Sequence, residues 1–354
     1  ECSTILDKWK FKNAANAKRK IAQSESQRKE HIAIFQRNKV SITAARDNKW
    51  LEFSANIYFG NFRFVSRAHS HCQRLENHFG NEIANILLDS LVTFVKNENQ
   101  MEIEFVLESF AKNSKSSLNY AVLAGIGLYW KKHGHLDEIP RNLICSALPI
   151  ERLVHTWSEI DGKQTNDERE WLGYLIEYHS SLVIDAYYLM AKNNNEVIRS
   201  SGISALCRLA KSHCAAQKCL KCLLTKAIGL NYYSLVTVFE AIELTDESKN
   251  ELVTHASKLL SDKFRPNGKI RQFWIAVLFA LRPTDGWMHF KRYFNRRLDI
   301  TWVVISLFQR KDVNSYLDRY PLIRKDFIKL IPLETKIIIN KNKIIFNGLL
   351  NLIS

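Results

Sequence analysis

Only 12 glycines and 6 prolines punctuate the 354 residues of this chain, and that scarcity limits what it can fold into. Both residues end helices and shape the turns between short strands. A chain so poor in them favours long helices over the turn-bounded strands of an all-β sandwich or barrel. Hydrophobic residues make up 46%, an ordinary share for a packed globular core and one that argues against a disordered chain. The longest apolar run, Phe273–Leu281, falls well short of the ~18 residues a membrane-spanning helix needs.

The apolar residues recur at spacings of three and four almost throughout, which is the helical period. The pattern predicts a long charged helix over about Ile5–Asn38, then helices over Ala44–Phe59, Asn81–Lys96, Met101–Ala111 and Leu118–Lys132. Gly125 and Gly127 in the last of these point to close approach of a neighbouring helix. Pro140 and Pro149 are expected to divide the next stretch into short helices, and Asp161–Asn166 to form a polar loop. One long helical tract is predicted over Asp167–Lys192. Paired helices follow: Glu196–Ala210 with Cys214–Lys226, and Tyr232–Ile242 with Ser248–Lys263. Further helices are predicted over Lys269–Leu281, Trp287–Asn295, Ile300–Gln309 and Arg324–Leu330. No alternating strand pattern stands out.

Such a succession predicts an all-α chain, an α-solenoid of irregular HEAT-like helix pairs preceded by a long charged helix. A compact helical bundle is the alternative. The expected organisation is a charged helical linker over 1–40, the solenoid over 41–335 and a tail over 336–354. That tail is built almost wholly from Ile, Asn, Lys and Leu.

The net charge of +15 is unevenly placed. Residues 1–50 carry 12 basic and 5 acidic side chains and residues 261–354 carry 18 and 7, whereas the body between them is slightly acidic. Basic ends raise the expectation of a polyanion such as nucleic acid, although solvated Lys and Arg faces explain them more simply. Lys8, Lys10, Lys12, Lys18, Arg19 and Lys20 are spread around their helix rather than gathered in a stripe. The better nucleic-acid candidates are Lys291, Arg292, Arg296 and Arg297. Arg292 and Arg296 are four apart, where like charges repel unless an anion relieves them.

Motifs that carry chemistry are missing. Gly268-Lys269 lacks the upstream glycine and the following hydroxyl residue of a phosphate-binding loop. Neither His-Glu-x-x-His nor Gly-x-Ser-x-Gly occurs, and no kinase signature set is present. No catalytic residue and no cofactor is therefore expected. Four of the seven cysteines, Cys207, Cys214, Cys219 and Cys222, fall close together beside His213. Structural zinc takes two close pairs, and only Cys219-x-x-Cys222 is one. Interleaved leucines favour core cysteines, with metal binding left open. The odd count and the lack of a signal peptide fit a reducing cytoplasm. His69, His71 and His78, with Cys72, and the pair His133 and His135 are read as surface or loop residues. Trp130, Trp157, Trp171 and Trp274 could trap a nucleobase, but core packing accounts for them more simply.

Several segments together resemble a known family. They are Trp50-Leu51 with Tyr58-Phe59-Gly60, Ile139-Pro140, Ala147-Leu148-Pro149, Cys207-Arg208-Leu209-Ala210, Ile270-Arg271-Gln272-Phe273-Trp274-Ile275-Ala276 and Leu281-Arg282-Pro283. In this order they resemble the C-terminal α-helical-repeat portion of large bacterial NACHT- or STAND-type NTPases, over about residues 1–330. The resemblance implies an NTPase module upstream of Glu1. It also implies a sensor or scaffold role for the repeats, in many such proteins in defence against phage. The opening Glu1 is expected to be an internal residue of a longer polypeptide. The resulting expectation is a non-enzymatic, cytoplasmic scaffold with a protein partner or an attached NTPase module. Nucleic-acid binding through the basic ends is the alternative, and no membrane contact is expected.

Overall fold

The computed structural model describes residues 25–294, apart from 63, 67–68, 115–117, 155–158, 161–162, 165–169, 227–228 and 262–267. The six basic residues between Lys8 and Lys20, the helices expected over Ile300–Gln309 and Arg324–Leu330, and the tail from 336 lie outside the described residues. The described chain is all-α and divides into two compact units, residues 1–190 and 191–354.

Unit 1 begins with α1 over residues 25–43. Its charged surface surrounds two apolar anchors, Phe35 and Ile42, both buried. Asp47 then caps α2 (Asn48–Tyr58), its carboxylate accepting from the Trp50 N–H at 3.2 Å. After α3 (His71–Phe79), α4 (Asn81–Asn97) and α5 (Ile103–Ala111) comes α6 (Asn119–His133), the centre of the unit. Ala121 to Ala124, Ile126 and Tyr129 are all buried there, because α6 packs on α2, α4, α7 and α8. A helix apolar on every side has no face to offer solvent and belongs in the middle. The close approach expected of its glycines is found at Gly125: a methyl group added there would lie 2.5 Å from the Leu91 carbonyl oxygen of α4.

The helix α7 (Arg141–Leu153) runs straight through Pro149, which was expected to be a second break. An interior proline costs about 3 kcal/mol through its lost N–H and its clash with the preceding turn. Leu143, Ile144, Ala147, Leu148 and Ile150 are all buried on this helix. At ~1.5–3 kcal/mol for each larger side chain, their burial outweighs that cost. The polar stretch after α7 holds a two-residue antiparallel hairpin, β1 (Glu159–Ile160) with β2 (Lys163–Gln164), too short to leave an alternation in the sequence. The tract expected as one helix over Asp167–Lys192 is two, α8 (Glu170–Tyr178) and α9 (Ser180–Ala191). The break falls at His179, followed by Ser180-Ser181, residues that favour helix starts over helix interiors.

Unit 2 holds α10 (Glu196–Leu209), α11 (Cys214–Lys226), α12 (Tyr232–Ala241), α13 (Asp246–Leu260), α14 (Gly268–Leu281) and α15 (Pro283–Phe294). Asn195, Asn231 and Thr245 cap α10, α12 and α13 through their side-chain oxygens. Each helix packs on the next or the next but one, the packing of a helical-repeat array. The long apolar run lies in α14, where every residue from Phe273 to Leu281 is buried. Gln217 of α11 ties its neighbours: its amide nitrogen donates to Ala210 O (2.8 Å) and Ala241 O (3.1 Å), and its oxygen accepts from the Glu243 N–H (2.9 Å). The fold is thus a solenoid-like succession of irregular helix pairs within each unit. No helix among the described residues is long and apolar enough to cross a membrane.

Candidate functional site

Among the described residues, a dense grouping of chemically versatile side chains lies in unit 1, where α1, α2 and α3 meet. Ser70 precedes helix α3 as its cap, its N–H accepted by the Gln73 side chain at 3.1 Å. This local signal (Ser-x-x-Gln) sets the helical register. It therefore puts Arg74, Asn77 and His78 three and four residues apart on one face. Across from them, His31 of α1 brings its Nδ1 to 3.0 Å from Nε2 of His78. Two imidazoles at that distance share a single proton, so at least one ring is neutral.

Aromatic rings enclose the pair. His31 meets Phe53 edge-on at 4.7 Å, and His78 meets Phe79 edge-on at 4.7 Å. Phe64 lies 5.1 Å from His78 and stacks on Phe62, with the two planes 10° apart. His71, on another side of α3, stacks on Tyr58 at 4.8 Å. Burial lowers the pKa of both paired histidines. For His78, burial, His31 and the Arg28 guanidinium together push it down to about 4. The reading of His71 and His78 as surface or loop residues is corrected here: both sit on a helix and pack against aromatic rings. His69 is exposed.

Arg74 is buried to 1% exposure. Its Nη1 donates to Tyr58 O at 2.9 Å and its Nε to Ser66 O at 3.3 Å. Tyr58 is the last residue of α2, so its carbonyl is one that the helix itself leaves without a donor. Beside this guanidinium opens a cavity of about 270 Å³, walled by Arg28, Phe64, His69, Arg74, Asn77 and His78, with Glu25 also on its wall. Of these, only His69 and His78 drew notice in the sequence. The capping signal at Ser70 could have found Arg74 and Asn77, but nothing local points to Phe64 or Arg28. A second cavity of about 280 Å³ in the same unit has Leu136, Ile139, Ile144, Leu175 and Leu182 as its apolar wall, with Arg141, Asp137 and His179 beside them.

The histidine pair carries a pH prediction. Both folded-state values lie below the ordinary 6.5, so the unfolded chain takes up protons first as pH falls. The stability this pair contributes is complete above about pH 6.5 and drains away as pH falls towards about 4. Discounted for partial exposure, the loss is roughly 1–2 kcal/mol. Urea midpoints measured from pH 7 to pH 4 should therefore fall less steeply in His78→Gln than in the parent. Parallel slopes would show that the pair does not titrate in this way.

The other expected sites fare differently. Cys207 is half-buried, its Sγ 3.9 Å from Thr237 O, and burial together with Glu240 pushes its thiol up to about 11. Such a thiol stays protonated at neutral pH and is a poor nucleophile. Cys219 and Cys222 are half-buried as well, whereas Cys214 is exposed and so is not the core residue it was expected to be. It opens α11 and precedes the buried stripe of Ala216, Gln217, Leu220, Leu223 and Leu224. Among the described residues no three of His, Cys, Asp and Glu gather where a metal ion could be held. Lys291 and Arg292 lie on α15, while Arg296 and Arg297 fall outside the described residues. Trp171 and Trp274 are core residues, and Trp130 packs on Tyr174 at 4.9 Å; Trp157 falls outside the described residues. Set against known proteins, the chain matches no family model, no curated protein and no solved structure.

Proposed function

We propose that this chain is a recognition scaffold, a helical-repeat sensor region that binds a protein partner and acts on an attached NTPase module of bacterial origin, in defence against phage. What supports the reading is the stacking of helix on helix in each unit together with large apolar side chains left in solvent. Phe105 and Tyr178 in unit 1, and Val197 and Tyr233 in unit 2, are each 65–71% exposed. Val197 and Tyr233 stand on adjoining helix starts, because Asn231 of α12 donates to Glu196 of α10 at 2.6 Å and Arg199 donates to Gly229 O. Repeat arrays bind partners over extended surfaces of this kind, and exposed aromatic anchors supply most of the binding energy at interfaces.

The test compares the chain with Tyr178→Asp and with Val197→Asp/Tyr233→Asp as bait in extracts of its host. A stoichiometric partner retained by the parent should fall at least roughly tenfold with one of these variants, while the helical circular dichroism stays unchanged. Retention of the same proteins by all three baits would overturn the scaffold reading. The NTPase attachment is checked separately by reading the gene upstream of Glu1, where a phosphate-binding loop should be encoded.

The basic ends support a second reading, nucleic-acid binding. It requires affinity for duplex DNA or RNA to fall with slope about −0.9 per neutralised phosphate on a log–log salt plot. It further requires retention to vanish when Arg292, Arg296 and Arg297 become Glu.

A further inference from the structure

Cys219 and Cys222 of α11 make up a motif that the scaffold reading leaves unused. Interleaved leucines predict core cysteines, but α11 divides the two residue types. Leu220, Leu223 and Leu224 are buried, while Cys219 and Cys222 keep part of their surface in solvent. Both are reduced in the structure.

Helix geometry brings this pair within bonding reach. A rise of ~1.5 Å and a turn of about 100° per residue set Cα atoms three residues apart at about 5 Å. A disulfide closes over ~4.4–6.8 Å. Helical side chains lean back over the preceding turn, which carries the Cys222 side chain towards Cys219. Their Cβ atoms, ~5–6 Å apart at this spacing, must approach to ~3.5–4.5 Å in a bridge. Closure therefore draws in one turn of α11, and a bridge strained in that way is readily reopened by thiols. The neighbouring cysteines are placed otherwise. Cys214 lies five residues before Cys219, on another side of the helix. Burial pushes the Cys207 thiol up to about 11, which keeps it protonated and slow to react.

We propose that Cys219 and Cys222 are a peroxide-sensitive dithiol that closes reversibly to a disulfide within α11. The thiolate of one cysteine attacks a peroxide oxygen, the O–O bond breaks, and the sulfur becomes a sulfenic acid. The departing hydroxide takes the thiol's proton and leaves as water. The second thiolate then attacks the sulfenic sulfur: the S–S bond forms, the S–O bond breaks, and hydroxide leaves with the second proton as water. Two thiols are oxidised and one peroxide is reduced to two waters. Two glutathione molecules reopen the bridge by exchange and are themselves oxidised to a disulfide. The pair is independent of the scaffold reading: it needs no protein partner, and neither cysteine is one of the exposed apolar anchors.

Peptide mapping of the full chain tests it. The folded protein is treated with hydrogen peroxide, quenched, alkylated in urea and cut with trypsin, which separates Cys219-Leu220-Lys221 from Cys222–Lys226. A closed pair keeps these two peptides together until they are reduced, and alkylation of both cysteines should be lost together. Cys219→Ser and Cys222→Ser should each abolish the joined species and leave the remaining cysteine to proceed to sulfinic acid. Separate oxidation of Cys219 and Cys222 in the parent overturns the proposal. So does joining of either one to Cys214, or full alkylation of both after peroxide. Joining that appears only when the peroxide is added in urea overturns it as well, since the helix would then not be what brings the thiols together.

Discussion

Gly125→Ala is expected to lower the unfolding free energy by about 2–3 kcal/mol, the cost of overpacking a close helix contact. In a solvent-exposed helix the same change would stabilise by up to ~1 kcal/mol, because alanine is the better helix former. The sign is therefore diagnostic of the contact. An added Cβ would lie 2.5 Å from Leu91 O and 2.6 Å from Cγ1 of Val95. The Val95 side chain can be trimmed, but the Leu91 carbonyl belongs to the backbone of α4 and can yield only if α4 and α6 separate. Urea denaturation of Gly125→Ala, of Val95→Ala and of the double variant distinguishes the two obstacles, the buried Val95 having its own truncation cost. In the Val95→Ala background the glycine substitution should cost less than in the parent, but not nothing. A glycine substitution without cost in that background would place the whole strain on Val95, and a stabilised Gly125→Ala would mean that the helices are not in close contact.

The second large effect is expected at Arg74. Arg74→Met keeps most of the buried aliphatic stem and removes the donors to Tyr58 O and Ser66 O. Taking donors from two buried or half-buried acceptors should cost about 2–3 kcal/mol. The loss should appear as a lower thermal midpoint. Arg74→Lys retains the charge but cannot present a planar fork, so it should restore only part of the stability. If Arg74→Met melts with the parent, the guanidinium does not hold the end of α2 to the start of α3.

The consequences of these two residues differ in kind. Gly125 acts through packing at the centre of unit 1, and its substitution should loosen the contact of α6 with α4. Arg74 acts through hydrogen bonds, closing the end of α2 at Tyr58 O and holding Ser66 O.

Much of this architecture was legible along the chain. Helical spacing and the rarity of Gly and Pro located the helices of both units, because apolar periodicity and breaker residues are local properties that survive in a one-dimensional text. The misreadings have local causes too. Pro149 signals a break, yet the five apolar side chains buried on α7 outweigh it. The tract over Asp167–Lys192 keeps its apolar period across His179, and that period outvoted the one local sign of a break, the Ser180-Ser181 pair. The stretch around His71 is polar enough to pass for a loop, and only the Ser70 and Gln73 pair hints at the helix.

The cavity itself was not legible. His31 and His78 are 47 residues apart and Arg74 reaches back 16 residues to Tyr58; no periodicity relates such positions. Helix identity and the all-α class follow from near-neighbour spacing, which the order of residues contains in full. Which side chains meet depends on how helices dock, and docking is decided by complementary surfaces contributed by distant segments. The scarcity of Gly and Pro thus dictated that helices would form. The pairing of α1 with α3, the sharing of one proton by two histidines and the guanidinium set against the end of α2 came only from the packing.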